Sequence, residues 1–261
     1  MEDIFQGTGA PISETGFRNV AIGLGCGEET APLWAILAVE TRGFGFLPDK
    51  RPKILFERHV FHKRTGGRFS AGNPDISNAA TGGYSGGAAE YQRLKRAMLL
   101  DRKAALESAS WGLGQVMGFN ASSIGYASAE AMVEAFKSGE DDQLEGCARF
   151  INAHAALRKA FDRKDWAKVA FFYNGESFRK NKYDEKLQSF HTTYEAKPPE
   201  IPVRAAQARL TYLGFNPRGI DGVIGGGTTA ALKAFQHGNG LTETGKLDDE
   251  TAEALRQAAR V

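Results

Sequence analysis

Cysteine is nearly absent. Cys26 and Cys147 are the only two in 261 residues, and their separation fits no metal-ligand spacing. Two buried free thiols suit such a pair better than a single disulfide. An excess of charge of one sign is also missing. The formal net charge of +2 is too small to point to nucleic acid or a membrane surface, although a pI of 8.5 is compatible with a polyanionic matrix. No stretch approaches the roughly 18 apolar residues of a membrane span, and Met-Glu-Asp-Ile-Phe-Gln-Gly at the start has no basic or apolar leader pattern. Membrane insertion is therefore not expected. No cofactor motif is present, and a metal site is not expected either. His59 and His62 lie three apart on what reads as a strand, so they point to opposite faces and make poor joint ligands. With 42% hydrophobic and 25% charged residues, the remainder has the composition of a globular protein with a sizeable core.

Residues 33–46, Leu-Trp-Ala-Ile-Leu-Ala-Val-Glu-Thr-Arg-Gly-Phe-Gly-Phe, organise the rest. Their first half is apolar and helical in character, with Thr30 as N-cap, Pro32 in the first turn and Gly43 as a left-handed stop. Glu40 then falls in the last turn of an element almost free of charge. Apolar surroundings and the negative end of the helix dipole both disfavour its ionised form. A carboxyl kept protonated near neutral pH can donate a proton to a leaving oxygen. The competing reading is a solvated helix-end glutamate paired with Arg42.

A short helix is expected near Gly16–Gly25, a Pro-punctuated turn at 47–52, and a strand over 53–62 that forms one arm of a small hairpin. Residues 65–87 are dense in Gly, Ser, Asn and Pro and read as a long loop. Helical periodicity returns over 88–108, 129–137, 142–158 and 166–172. Ala-Lys-Pro-Pro-Glu-Ile-Pro at 196–202 reads as a semi-rigid linker, which divides the chain into a unit at 1–195 and a small one at 203–261.

Three further stretches belong with Glu40. Ser-Trp-Gly-Leu-Gly-Gln-Val-Met at 110–117 places Trp111 as an apolar face for a sugar ring and Gln115 as a polar grip. Gly112 is a point of close backbone approach there. Tyr173 and Asn174 leave a helix at Gly175 and can orient a carboxyl or bind an acetamido group. Glu57, in Phe-Glu-Arg-His, supplies a candidate second carboxylate. The alternative for Trp111 and Tyr173 is core packing, and for Glu57 a bond to nearby backbone.

Taken in order, these motifs resemble the lysozyme-like superfamily, near goose-type lysozymes and soluble lytic transglycosylases. The nearer resemblance is to the N-acetylmuramidase domain of phage endolysins, over about residues 16–194. It rests on Val39–Phe46, Ile54–Phe61, Ser110–Asn120 and Asn181–Leu187, with Thr41 in place of that family's usual serine. The resemblance implies a mainly α, lysozyme-like α+β catalytic domain with a small β-hairpin, and a peptidoglycan hydrolase with Glu40 as general acid. Residues 203–261 resemble a three-helix peptidoglycan-binding module, through Asp221-Gly222, Thr229 and Phe235-Gln236 among others. The Asp-Gly and Gly-x-x-Thr positions of that pattern are turns and helix caps.

The bond expected to break is the β-1,4 link between N-acetylmuramic acid and N-acetylglucosamine. Water activated by Glu57 gives hydrolysis. Internal attack by the muramic acid 6-hydroxyl gives the 1,6-anhydro product of a lytic transglycosylase, and residue chemistry does not choose between the two. A non-catalytic wall-binding protein on the same scaffold is a third possibility. Peptidoglycan is the expected partner and a monomer the expected state. The leaderless start suggests synthesis in the cytoplasm, with release to the wall through a separate membrane pore or a secretion machine. Deletion of the module is expected to weaken wall binding but spare the turnover of small soluble fragments.

Overall fold

The computed structural model describes residues 4–41 and 43–260. It is mainly helical. The first helices are α1 (Glu14–Gly23) and α2 (Ala31–Thr41), followed by β1 (Ile54–Phe56) and α3 (Arg58–Arg64). After a long loop come α4 (Glu90–Leu100) and α5 (Arg102–Glu107), then the hairpin of β2 (Ala109–Trp111) and β3 (Val116–Met117). The helices of the larger unit continue as α6 (Ala129–Ser138), α7 (Glu140–Ala153), α8 (Ala155–Asp162), α9 (Trp166–Asn174) and α10 (Tyr183–Ala196). The chain closes with α11 (Ile201–Tyr212), α12 (Gly226–Gly238) and α13 (Asp249–Ala259). The strands form one antiparallel sheet in the order β1-β2-β3, with Ile54 opposite Trp111 and Trp111 opposite Val116.

α2 is the buried axis. Leu33, Ala35, Ile36 and Leu37 are each 2% exposed or less, so this helix is apolar on every side, as a helix enclosed by others must be. α10 lies along it, using Leu187, His191 and Tyr194, which recur at helical spacing and are all buried. The sequence reading assigned no element to this stretch, because its apolar face is a narrow stripe among charged residues.

The expected strand at 53–62 is only three residues long. The chain turns into α3 immediately after Phe56, with Glu57 as N-cap. His59 and His62 therefore share a helix and lie near one face, contrary to the strand-based expectation. Their surroundings differ: His59 Nδ1 lies 3.1 Å from a Glu57 oxygen without the geometry of a hydrogen bond, and His62 Nδ1 is 2.7 Å from Ser70 Oγ. The periodic stretches at 88–108 and 142–158 are each interrupted, at Asp101 and at His154. Both residues take extended backbone angles, and the Asp101 side chain caps α5.

Both cysteines are free thiols, Cys147 buried and Cys26 half-buried. Burial pushes Cys26 up to about 11 and Cys147 up to about 12. Among the described residues no helix is long and apolar enough to cross a membrane.

α11, α12 and α13 close around Ala206, Leu210, Leu232, Phe235 and Leu255. Two buried glutamines staple this unit in the same way. Gln207 Nε2 donates to Thr228 Oγ1 at 3.0 Å and to Val223 O, while its Oε1 accepts from the amides of Asp221 and Gly222. Gln236 Nε2 donates to Thr251 Oγ1 at 2.9 Å and to Lys246 O, while its Oε1 accepts from the amide of Gly245. Each glutamine thus ties its own helix to the following turn and to the first turn of the next helix, with a glycine and, six residues on, a threonine as the shared partners. Between α10 and α11 only residues 197–200 are non-helical, since Ile201 and Pro202 of the expected linker already belong to α11.

Candidate active site

Glu40 is partly buried in the last turn of α2. Gly43 takes the left-handed conformation there (φ +83°), and its amide donates to Leu37 O at 3.2 Å, which closes the helix. Asn174 Nδ2 at the end of α9 donates to Glu40 Oε1 at 2.8 Å. Arg42, considered as a partner in the sequence reading, lies outside the described residues. Burial pushes the Glu40 carboxyl up to about 7, against the opposing pull of the Asn174 bond. A carboxyl with that value is still substantially protonated at neutral pH and can act as a general acid.

Because the Asn174 amide favours the ionised form, its removal raises the acid further. In Asn174→Ala the alkaline limb of the pH–rate profile is expected to move to higher pH, with a lower plateau because the carboxyl is less well oriented. A limb that stays in place or moves down would show that this bond does not act on the ionising group.

Two motif residues serve as the frame of the site. Tyr173 OH donates to Gly114 O at 2.6 Å and lies 3.3 Å from Cys147 Sγ, which ties α9 to the β2–β3 turn. Burial and the neighbouring Cys147 and Glu40 raise its phenol well above the usual range. Gln115 holds a positive φ of 47° and is engaged internally. Its Nε2 donates to Gly112 O at 2.8 Å, and its Oε1 accepts from Ser110 Oγ at 2.8 Å.

Trp111 and Gly112 require correction as sugar contacts. Trp111 is 0% exposed, its Nε1 donates to Leu106 O at 3.1 Å, and its ring packs near Phe5, so no face is open to a sugar. Gly112 is needed for its left-handed turn, and a Cβ there would lie 2.8 Å from the Gln143 side chain.

Glu57 directly follows β1, and its amide extends the ladder to Ser108 O at 2.9 Å. Tyr84 OH, carried by the long loop, lies 2.9 Å from each Glu57 oxygen, and Arg58 holds the same loop through the carbonyls of Ala80 and Thr81. Burial and the charge of Glu57 push Tyr84 up to about 12. Tyr183, at the start of α10, is raised first by burial and then by the charges of both Glu40 and Glu57. Tyr84, Tyr183 and His59 escaped selection from the sequence. Tyr84 sits in a Gly-rich loop that gives no periodic signal, and Tyr183 falls within a family motif without a role of its own. From His59 a groove of about 720 Å³ runs past Lys63, Arg64, Lys103 and Phe119.

In the module, Phe235 and Gln236 are 1% and 0% exposed, and Gly222 is buried under Pro199 and Glu200. These three hold the unit together and have no face for the wall, which corrects their expected role. Asp221 is exposed, but its Oδ1 accepts from Gln207 Nε2 and from the Val223 amide. Thr229 is half-buried, and the neighbouring Thr228 makes the bond to Gln207.

Both units match known families. Residues 29–195 match the N-acetylmuramidase family, and residues 201–255 match a putative peptidoglycan-binding domain. No curated protein matches. The crystal structure of the Burkholderia AP3 phage endolysin is similar, with a TM-score of 0.64 and 36% sequence identity. The alignment covers 75% of this chain and 73% of that one. The chain belongs to the N-acetylmuramidase family and, with its peptidoglycan-binding domain, is a modular endolysin-like muramidase that acts on peptidoglycan.

Proposed function

We propose that Glu40 protonates the oxygen of the β-1,4 bond between N-acetylmuramic acid and N-acetylglucosamine, and that Glu57 is the second carboxylate, activating water at the resulting oxocarbenium-like centre. The observation that carries this reading is the Glu40 carboxyl itself. It is held by one amide at a helix end and raised by burial to about 7. Asn174 orients the acid, while Tyr84 holds Glu57 for the attacking water. Trp111 and Gln115 act behind the site, keeping the β2–β3 turn rigid.

The products distinguish hydrolysis from internal attack. Wild-type digestion of purified sacculi is expected to give muropeptides with reducing muramic acid ends in the mass spectrum. Glu57→Gln is expected to lose about 10²-fold or more of this activity, the usual weight of a positioned general base. Full activity in folded Glu57→Gln would remove the water-activating role, and anhydro ends from the wild type would leave a one-carboxylate transglycosylase.

A further inference from the structure

α11 belongs to the wall-binding module, yet one of its faces is built for the catalytic domain. Arg204, Ala208 and Tyr212 recur every fourth residue and so form a single stripe. Ala208 is 0% exposed against Phe44 and Phe46, the Tyr212 ring lies 6.0 Å from that of Phe44, and Tyr212 OH donates to Gly9 O at 2.9 Å. Arg204 and its partner Glu140, the first residue of α7, are 1% and 0% exposed. The guanidinium forks onto the carboxylate, Nη1 to Oε2 at 2.5 Å and Nη2 to Oε1 at 2.7 Å. Its Nε also donates to Gly43 O at 2.8 Å, and Nη2 donates to the same oxygen. Glu140 in turn accepts the amides of Gly45 at 2.7 Å and Ile12 at 3.0 Å.

Gly43 and Gly45 are the residues through which the chain leaves the Glu40 helix. Neither tolerates a side chain. A Cβ on Gly43 would lie 2.6 Å from Ile220 O of the module, and one on Gly45 would lie 1.9 Å from Gln143 Oε1. A buried ion pair is by itself a weak source of stability, and an apolar pair of similar volume often replaces one without loss. An apolar pair could not, however, satisfy the Gly43 carbonyl and the Gly45 amide, which burial would leave without partners. The pair is therefore best explained by the geometry it imposes on the exit of α2.

We infer that Arg204 is a positioning residue for the muramidase reaction, fixing from within the wall-binding module the end of the helix that carries Glu40. The module is then part of the catalytic unit as well as an anchor, and removing it costs turnover of soluble fragments too, contrary to the expectation from sequence. This rests on Glu40 being the acid.

The test uses the full chain with Arg204→Lys, which keeps the charge but not the fork, and with Arg204→Met combined with Glu140→Gln, which removes both charges. The substrate is a soluble glycan fragment too short to engage the module and the active site together. In folded protein, kcat is expected to fall about tenfold or more, because small misplacement of a reacting group is costly. KM should stay within about twofold, the pattern of a lost transition-state interaction rather than lost binding. Sedimentation with sacculi should be unchanged. An unaltered kcat in either folded variant, a rise in KM alone, or failure of both variants to fold would each overturn the assignment. Glu40→Gln measured in parallel separates the two claims: if it retains activity, the reading of Glu40 fails whatever Arg204 does.

Discussion

Glu40→Gln is expected to lower lysis of cell-wall substrate by about 10²–10⁴-fold, the contribution typical of a positioned acid, while making the protein more stable at alkaline pH. The second half follows from linkage. The Glu40 carboxyl is raised from 4.5 to about 7, so folding favours its protonated form. That stabilisation is fully present below pH 4.5 and is lost as pH rises through about 7. Each pKa unit corresponds to about 1.4 kcal/mol, so ionisation in the folded state costs on the order of 3 kcal/mol. Glutamine is close to isosteric, can still accept from Asn174 and has no charge to bury. Denaturant unfolding should therefore show the variant gaining on wild type as pH rises from 4.5 to above about 7, with little further gain beyond. A constant stability difference across that range would mean that Glu40 titrates as a solvated carboxyl, and the acid role would lose its physical basis.

Glu90→Ala is expected to destabilise the fold by about 3–5 kcal/mol, as removal of one member of a buried ion pair does. Glu90 and Arg93 are 0% and 5% exposed, and Arg93 Nη1 donates to Glu90 Oε2 at 2.7 Å. Glu90 also accepts the amides of Ser85 and Gly86 through Oε1 and that of Phe56 through Oε2. Arg93 reaches the carbonyls of Phe56 and Asp75. One carboxylate therefore ties the strand before Glu57 to the loop that carries Tyr84, so its loss should loosen both Glu57 and Tyr84. Chemical denaturation measures the first effect. Faster hydrogen exchange around Phe56 and residues 84–86 reports the second. A loss below about 1 kcal/mol, in the range of an exposed pair, would show that the cluster is solvated and does not support Glu57.

The contrast between Glu40 and Trp111 shows what local sequence can and cannot convey. Glu40 was legible because every feature that defines it lies within a dozen residues: an apolar helix, a glycine stop and one acid in the last turn. Trp111 carried an equally suggestive motif, yet its ring faces inward, because Phe5 and the Leu106 carbonyl close over it and neither is implied by the residues beside it. Gln115 likewise has the right chemistry for a ligand but spends it on Gly112 and Ser110. The Gln207 and Gln236 staples escaped notice for a related reason. Each pairs the glutamine with a glycine amide and with a threonine six residues after that glycine (Gly222 and Thr228, Gly245 and Thr251), but the glutamine stands at different distances from its glycine, so the repeat is not evident along the chain.

The sequence alone placed Glu40 at the end of an uncharged helix, marked Glu57 beside an apolar stretch read as a longer strand, and set off a small C-terminal unit, while its resemblance to known families supplied the helical class and the three-helix tail. These follow from hydrophobic period, capping residues and short motifs, all of which act within a few turns of chain. The tertiary structure decided which of the motif's polar groups are consumed inside, and it showed that the tail packs against the muramidase domain through Arg204 and Glu140. Such outcomes depend on contacts between residues as far apart as Gly43 and Arg204, and on the cost of burying a charge or an amide without a partner, which no local pattern records.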